Sequence, residues 1–95
     1  MVAYVIADVT IANPAGYENY KKLAAAAIAK HGGRYLVRGG PSEVLEGTWT
    51  PGRMVVLEFP SLEQARAFYT SVEYTQARRA RAETARANLI VVEGV

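Results

Sequence analysis

Apolar residues run almost unbroken from Val2 to Thr10, and their alternation separates Ala3, Val5, Ala7 and Val9 from Tyr4, Ile6, Asp8 and Thr10. This pattern predicts a first strand. The first set is small enough for helices to lie close against it, while the second carries a ring and a carboxylate. Asn13-Pro14 reads as a helix start, since Asn accepts from free first-turn amides and Pro lacks only a donor that has no partner there. The helix is predicted to reach about His31, with Tyr17, Tyr20, Leu23, Ala24, Ala27, Ile28 and His31 on its apolar stripe and Glu18 paired to Lys22. Gly32-Gly33 supplies the left-handed residue that closes it.

Beyond these glycines, Tyr35 and Val37 alternate with Arg34, Leu36 and Arg38, so a second strand covers 34–38 and Gly39-Gly40-Pro41 breaks it. Residues 42–47 read as a short strand or an extended arm, and 48–52 as a turn. Arg53 to Phe59 is a third strand with an apolar centre, stopped by Pro60. Ser61-Leu62-Glu63-Gln64 forms a capping box, with Gln64 reaching back to the cap. The helix it opens buries Leu62, Ala65, Phe68, Tyr69 and Val72, bends around Ser71-Val72, and resumes from Glu73 to Arg86. Asn88 to Glu93 closes the pattern as a fourth strand.

Strand, helix, strand, strand, helix, strand is the order of a ferredoxin-like βαββαβ fold, an α+β architecture with four antiparallel strands and the helices on one face. A sheet covered on one side should be polar on the other, yet three of these strands are apolar at nearly every central position. A second copy packed sheet to sheet about a two-fold axis would cover that face, giving a dimeric α/β barrel. The alternative is a set of short strands that merely look two-faced.

Composition narrows the function. At 95 residues and 10.3 kDa there is material for one domain, 1–95, and the mix of 51% hydrophobic and 21% charged residues excludes a disordered tail, a collagen-like repeat and a coiled coil. No apolar run approaches the roughly 20 residues that span a bilayer, and no signal segment opens the chain, so a cytoplasmic protein without membrane attachment is expected. Zero Cys removes thiol nucleophiles and thiolate metal sites, and a single His leaves no multi-histidine site. No metal or cofactor is therefore expected. A net charge of +2 is too mildly basic to argue for nucleic acid.

The candidate chemistry is sparse. His31 is the sole imidazole, and its place beside Gly32-Gly33 suits either a helix cap or an acid–base group. Arg38-Gly39-Gly40 follows a strand but lacks the spacing and the helix of a phosphate loop, and it reads as a turn. Asp8 and Glu58 lie on strands among apolar neighbours and need partners, for which Arg34, Arg38 and Arg53 are at hand; Arg78 and Arg81 share a helical face with Tyr74. Such pairs serve equally as architecture or as one wall of a polar pocket. Tyr4, Tyr35, Trp49, Tyr69 and Tyr74 would supply stacking walls and hydroxyl donors. The Arg78, Arg79, Arg81 and Arg86 cluster is interrupted by Glu73 and Glu83 and reads as a solvated helix face.

Taken together, His31-Gly32-Gly33-Arg34-Tyr35-Leu36, Arg38-Gly39-Gly40, Glu46-Gly47, Trp49, Arg53, the run from Val56 to Ser61, Phe68-Tyr69, Ser71 and Glu73-Tyr74 resemble the bacterial family called domain of unknown function 1330. Phe68 stands where members often carry Trp. The resemblance covers nearly the whole chain and implies a ferredoxin-like domain assembling as a dimeric α/β barrel. The wider fold group includes cofactor-free monooxygenases of antibiotic biosynthesis, haem-degrading oxygenases and muconolactone isomerases, but a shared fold implies no reaction.

The expected site lies between sheet and helices. Its candidate catalytic residues are His31 and Glu58, with Arg38, Glu46, Trp49, Arg53, Tyr69, Tyr74 and Arg78 binding a small organic ligand. In this reading an Arg holds an acidic or enolic molecule, His31 or a carboxylate moves a proton, and the rings bound its apolar part. The competing expectation is a non-catalytic, stress-related or structural dimer whose polar cluster locks strands and helices together.

Overall fold

The computed structural model describes residues 1–95. Strand β1 (Ala3–Ile11) is followed by helix α1 (Pro14–Lys30), strands β2 (Arg34–Arg38) and β3 (Arg53–Phe59), helices α2 (Leu62–Thr70) and α3 (Val72–Arg81), and strand β4 (Ala85–Glu93). The sheet order is β2-β3-β1-β4, antiparallel throughout. This is the ferredoxin-like arrangement expected from the order of elements.

The two faces separate as the alternation requires. Ala3, Val5, Ala7 and Val9 are buried under the helices, and pairing of Val5 with Leu57 and Val91, and of Ala7 with Val55 and Leu89, brings the neighbouring strands' apolar positions to the same face. The core of 15 buried residues lies between this face and the stripe of α1, with Phe59, Phe68, Tyr17 and Tyr74 as its largest side chains. Small strand residues let α2 settle close to the sheet, and rings from α1, α2 and α3 fill the space between the layers.

Local signals set most boundaries. The Asn13 side chain accepts from the Gly16 amide at 3.1 Å, and Gly32 takes a φ of 79° after the helix. Gly33 leaves no room for a side chain, because a Cβ there would stand 2.6 Å from the Phe59 ring. Ser71 breaks the second helical stretch as expected. Its hydroxyl donates to the Phe68 carbonyl at 2.7 Å and accepts from the Tyr74 amide at 3.1 Å, so one side chain closes α2 and opens α3.

Residues 42–47 form no strand, which removes the first of the two readings left open for them. Four expectations are corrected. Helix α3 ends at Arg81 instead of Arg86, and β4 begins at Ala85 instead of Asn88. Thr84 is the reason: its amide and hydroxyl both bond the Arg81 carbonyl, while its own carbonyl accepts from Ala12 and Asn13 and ties the turn to the start of α1. Ala85 and Ala87 then pair with Ile11 and Val9, strand pairing overriding helical propensity. Glu18 pairs with Lys21 at 2.9 Å, one position short of Lys22, and the Gln64 amide donates to the His31 carbonyl at 3.2 Å while only its backbone engages Ser61.

Candidate functional site

A cavity lies between sheet and helices where the α1 stripe faces β1 and β3. Its walls are apolar, from Val5, Ala7, Val9, Ala24, Ile28, Val55, Leu57, Phe68 and Leu89, and its polar groups come from Tyr17, Tyr20, Lys21, Tyr35, Arg38, Arg53 and Tyr74. The enclosed space is about 30 Å³, room for one or two waters. Arg38 is exposed, and Lys21, Tyr35 and Arg53 are half-buried, so these four form the mouth.

Helix periodicity puts Tyr17, Tyr20 and Ala24 on the buried face of α1, and Tyr74 comes from the opposing side of α3. The Tyr20 and Tyr74 hydroxyls meet at 2.7 Å, and Arg81 donates to the Tyr74 oxygen at 3.2 Å. Burial raises the Tyr20 phenol above its ordinary value, with the Tyr74 hydroxyl adding to the effect. Burial also raises Tyr17, an effect opposed by the nearby Arg53. Both are therefore neutral O–H donors at pH 7. The Tyr17 hydroxyl is fully buried and within hydrogen-bond geometry of no protein group, although the Arg53 guanidinium carbon lies 5.8 Å from the centre of its ring.

The rim is built by β2, β3 and the turn after β2. Arg38 stacks on Tyr35 at 4.3 Å, and Gly39, at φ 71°, donates to the Met54 carbonyl at 2.8 Å. A Cβ at Gly39 would come within 2.7 Å of Arg53 Nε, so this glycine admits both the turn and the path of the Arg53 side chain. The Arg38-Gly39-Gly40 segment is thus a turn, as read, and it shapes the entrance.

Of the nine sequence-predicted site residues, Arg38, Arg53 and Tyr74 line this cavity and the others lie elsewhere. Tyr69 borders a shallower groove beside β4, where Arg81 also stands, and Arg78 stacks on Tyr69 at 4.4 Å. Glu58 is on the opposite face of the sheet, held by Arg34 at 3.2 Å, as strand alternation demands of a residue between Leu57 and Phe59. Trp49 and Glu46 belong to the β2–β3 connection on that same far side. There the Trp49 indole donates to Asp8 at 2.9 Å and the Gly52 amide to the same carboxylate at 2.7 Å. His31 caps α1 and bonds Glu73 at 3.1 Å, with its ring edge-on to Phe68 and outside the cavity lining. The site residues that sequence reasoning did not single out are Tyr17, Tyr20 and Lys21; their helical spacing is that of an ordinary core stripe.

Lys30 and His31 together lower the Glu73 carboxyl to about 2, Lys30 contributing most. The folded value lies below the ordinary 4.5, so this contribution is complete above that value and disappears as pH falls from 4.5 towards 2. Glu73→Gln is therefore expected to melt below the wild type at pH 7, with the gap closing as pH approaches 2. Parallel melts across that range check it; a gap independent of pH would contradict it.

The strand order and the helices on one face of the sheet define a class, the ferredoxin-like fold. The chain belongs to the family described as Domain of unknown function (DUF1330), which matches residues 2–95. No curated protein matches it. Among solved structures, a protein of unknown function from Rhodopseudomonas palustris is similar with a TM-score of 0.77 at 17% identity, over 99% of this chain and 82% of that one. A dimeric ferredoxin-like protein of unknown function from a Jannaschia species gives 0.70 at 10% identity, over 99% and 100%. SnoaB, a cofactor-independent oxygenase from Streptomyces nogalater, gives 0.68 at 12% identity, over 99% and 93%. At these identities the likeness is one of fold.

Proposed function

We propose that the protein is a homodimer that binds a small organic molecule in the cavity between sheet and helices and carries out cofactor-free proton-transfer or oxygenase-type chemistry on it. The observation that carries this reading is the buried Tyr17 hydroxyl, whose proton has no protein acceptor, in a cavity of mostly apolar walls with two guanidinium groups at its mouth. Leaving a buried hydroxyl unpaired costs about 1–3 kcal/mol, a cost that a bound polar group would offset. The cofactor-independent oxygenase among the fold neighbours supports the chemistry as an analogy. A ring enters by displacing the Tyr35–Arg38 stack, since the closed cavity holds only water-sized molecules.

Dimerisation rests on the open sheet face. Ile6 pairs with both Val56 and Ile90 at its centre, and Val37, Ile90 and Val92 are exposed by 39%, 59% and 45%. An uncovered apolar sheet of this kind marks an interface, and the Jannaschia neighbour is dimeric.

A thermal-shift screen against small aromatic and aliphatic acids, ketones and lactones tests the function. A ligand held at about 100 times its Kd stabilises by about 2.7 kcal/mol, a rise of roughly 10 °C or more for a domain of this size. Absence of any shift from a dimer of correct mass would favour the structural, non-catalytic module.

A further inference from the structure

Every polar side chain in the cavity is a donor or can act as one. Its 16 lining residues include Lys21, Arg38, Arg53 and four tyrosines, but no Asp, Glu or His. Lys21 is neutralised by Glu18 at 2.9 Å, whereas neither Arg38 nor Arg53 enters an ion pair. The innermost phenols, Tyr17, Tyr20 and Tyr74, hold one O–H proton each. A single hydrogen bond joins Tyr20 to Tyr74 and takes up one of these protons, whichever hydroxyl gives it. Arg81 fills part of the Tyr74 acceptor capacity from outside. The Tyr17 proton has no protein acceptor. Two phenolic protons therefore have no protein acceptor, and two guanidinium groups outside any ion pair stand at the mouth beside them.

Resting on the cavity reading above, we propose that the ligand binds as an oxyanion, a carboxylate, phenolate or enolate attached to an apolar ring or chain. Its charged oxygen accepts from Tyr17 and the Tyr20–Tyr74 pair, with Arg53 supplying the compensating charge. A neutral ether or ester offers weaker acceptors and leaves Arg53 uncompensated beside the buried group. The expected proton abstraction by His31 or Glu58 has no place in this arrangement, since neither reaches the cavity. Acidity must come from the ligand itself: the cavity favours its ionised form, and the proton leaves to solvent before or during entry.

A panel of aromatic carboxylic acids and phenols, each matched with its methyl ester or methyl ether, tests this on the full chain by thermal shift and titration calorimetry. The ionisable members are expected to bind at least tenfold more tightly than their methylated partners. A bound phenol should also show its anion's absorbance at a pH below its free pKa. Tyr17→Phe should reduce affinity for the anions about tenfold with the melting temperature unchanged or raised, which separates a lost contact from a lost fold. Equal affinity for the methylated partners, or full anion affinity in Tyr17→Phe, would overturn the oxyanion assignment and leave the cavity reading intact. Failure of every member to bind would overturn both.

Discussion

Replacing Phe68 by Ala is expected to destabilise the protein by about 3–5 kcal/mol, the cost of deleting a fully enclosed aromatic ring. Phe68 has no exposed surface and lies 4.4 Å from the Tyr74 ring and 5.0 Å from Phe59, centre to centre, with His31 edge-on at 6.5 Å. Its removal takes support from three elements at once, the end of α1, β3 and α3. Small domains have only about 5–15 kcal/mol in total, so the melt should drop by more than about 12 °C. Circular dichroism melts provide the measurement, and a loss below about 1 kcal/mol would mean that the neighbouring rings collapse into the space. Because Tyr74 leans on Phe68, the same variant should weaken any ligand held by the phenols.

The second large effect is on assembly. On the homodimer proposed above, Ile90→Glu is expected to yield a monomer of about half the wild-type particle mass by sedimentation equilibrium, without loss of secondary structure. Ile90 stands at the centre of the open face, 59% exposed, directly across from Ile6. A carboxylate at that point would be buried against a second apolar sheet with no cation opposite, a penalty of several kcal/mol in the dimer and close to nothing in the monomer. Arg34 and Arg86 are the cations of this face, and both stand away from its centre: Arg34 is on Glu58, and Arg86 pairs in register with Thr10 at the far end of β1. A variant that still sediments as a dimer would show that another surface holds the copies together.

The fold was legible because its signals are local. Alternation in 2–10 assigns Ala3, Val5, Ala7 and Val9 to the covered face, and Asn13-Pro14, Gly32 and Ser71 each carry the geometry of their own boundary. The end of α3 was not legible, since Ala and Arg favour helix and the constraint at Thr84 comes from the carbonyl bonds that Ala12 and Asn13 make to it across the fold. The site divides the same way. Arg38, Arg53 and Tyr74 were recognisable as polar or aromatic groups near strand and helix ends, and all three line the cavity. Tyr17 and Tyr20 read as core because a phenol on an apolar stripe looks alike whether its hydroxyl finds a partner or not. Only the packing of α3 across α1 reveals that the Tyr20 hydroxyl meets that of Tyr74 while the Tyr17 proton finds no protein acceptor. Glu58 was a candidate because its strand is apolar on both sides, and such a strand conceals which face looks towards the helices.

The register of β1 bears on how the chain reaches this structure. Ala3–Ile11 is one of the two inner strands, laddered to 53–59 on one side and to 85–93 on the other, while β2 and β3 are the one pair of sequence-adjacent strands that ladder together. The first of the four strands in chain order thus has both of its edges paired only once the fourth is in place. Until then its backbone donors and acceptors and its apolar residues are open to other nascent chains. Completing the sheet therefore depends on contacts between residues far apart in the chain, which is expected to make this domain fold more slowly than a helical bundle of the same length.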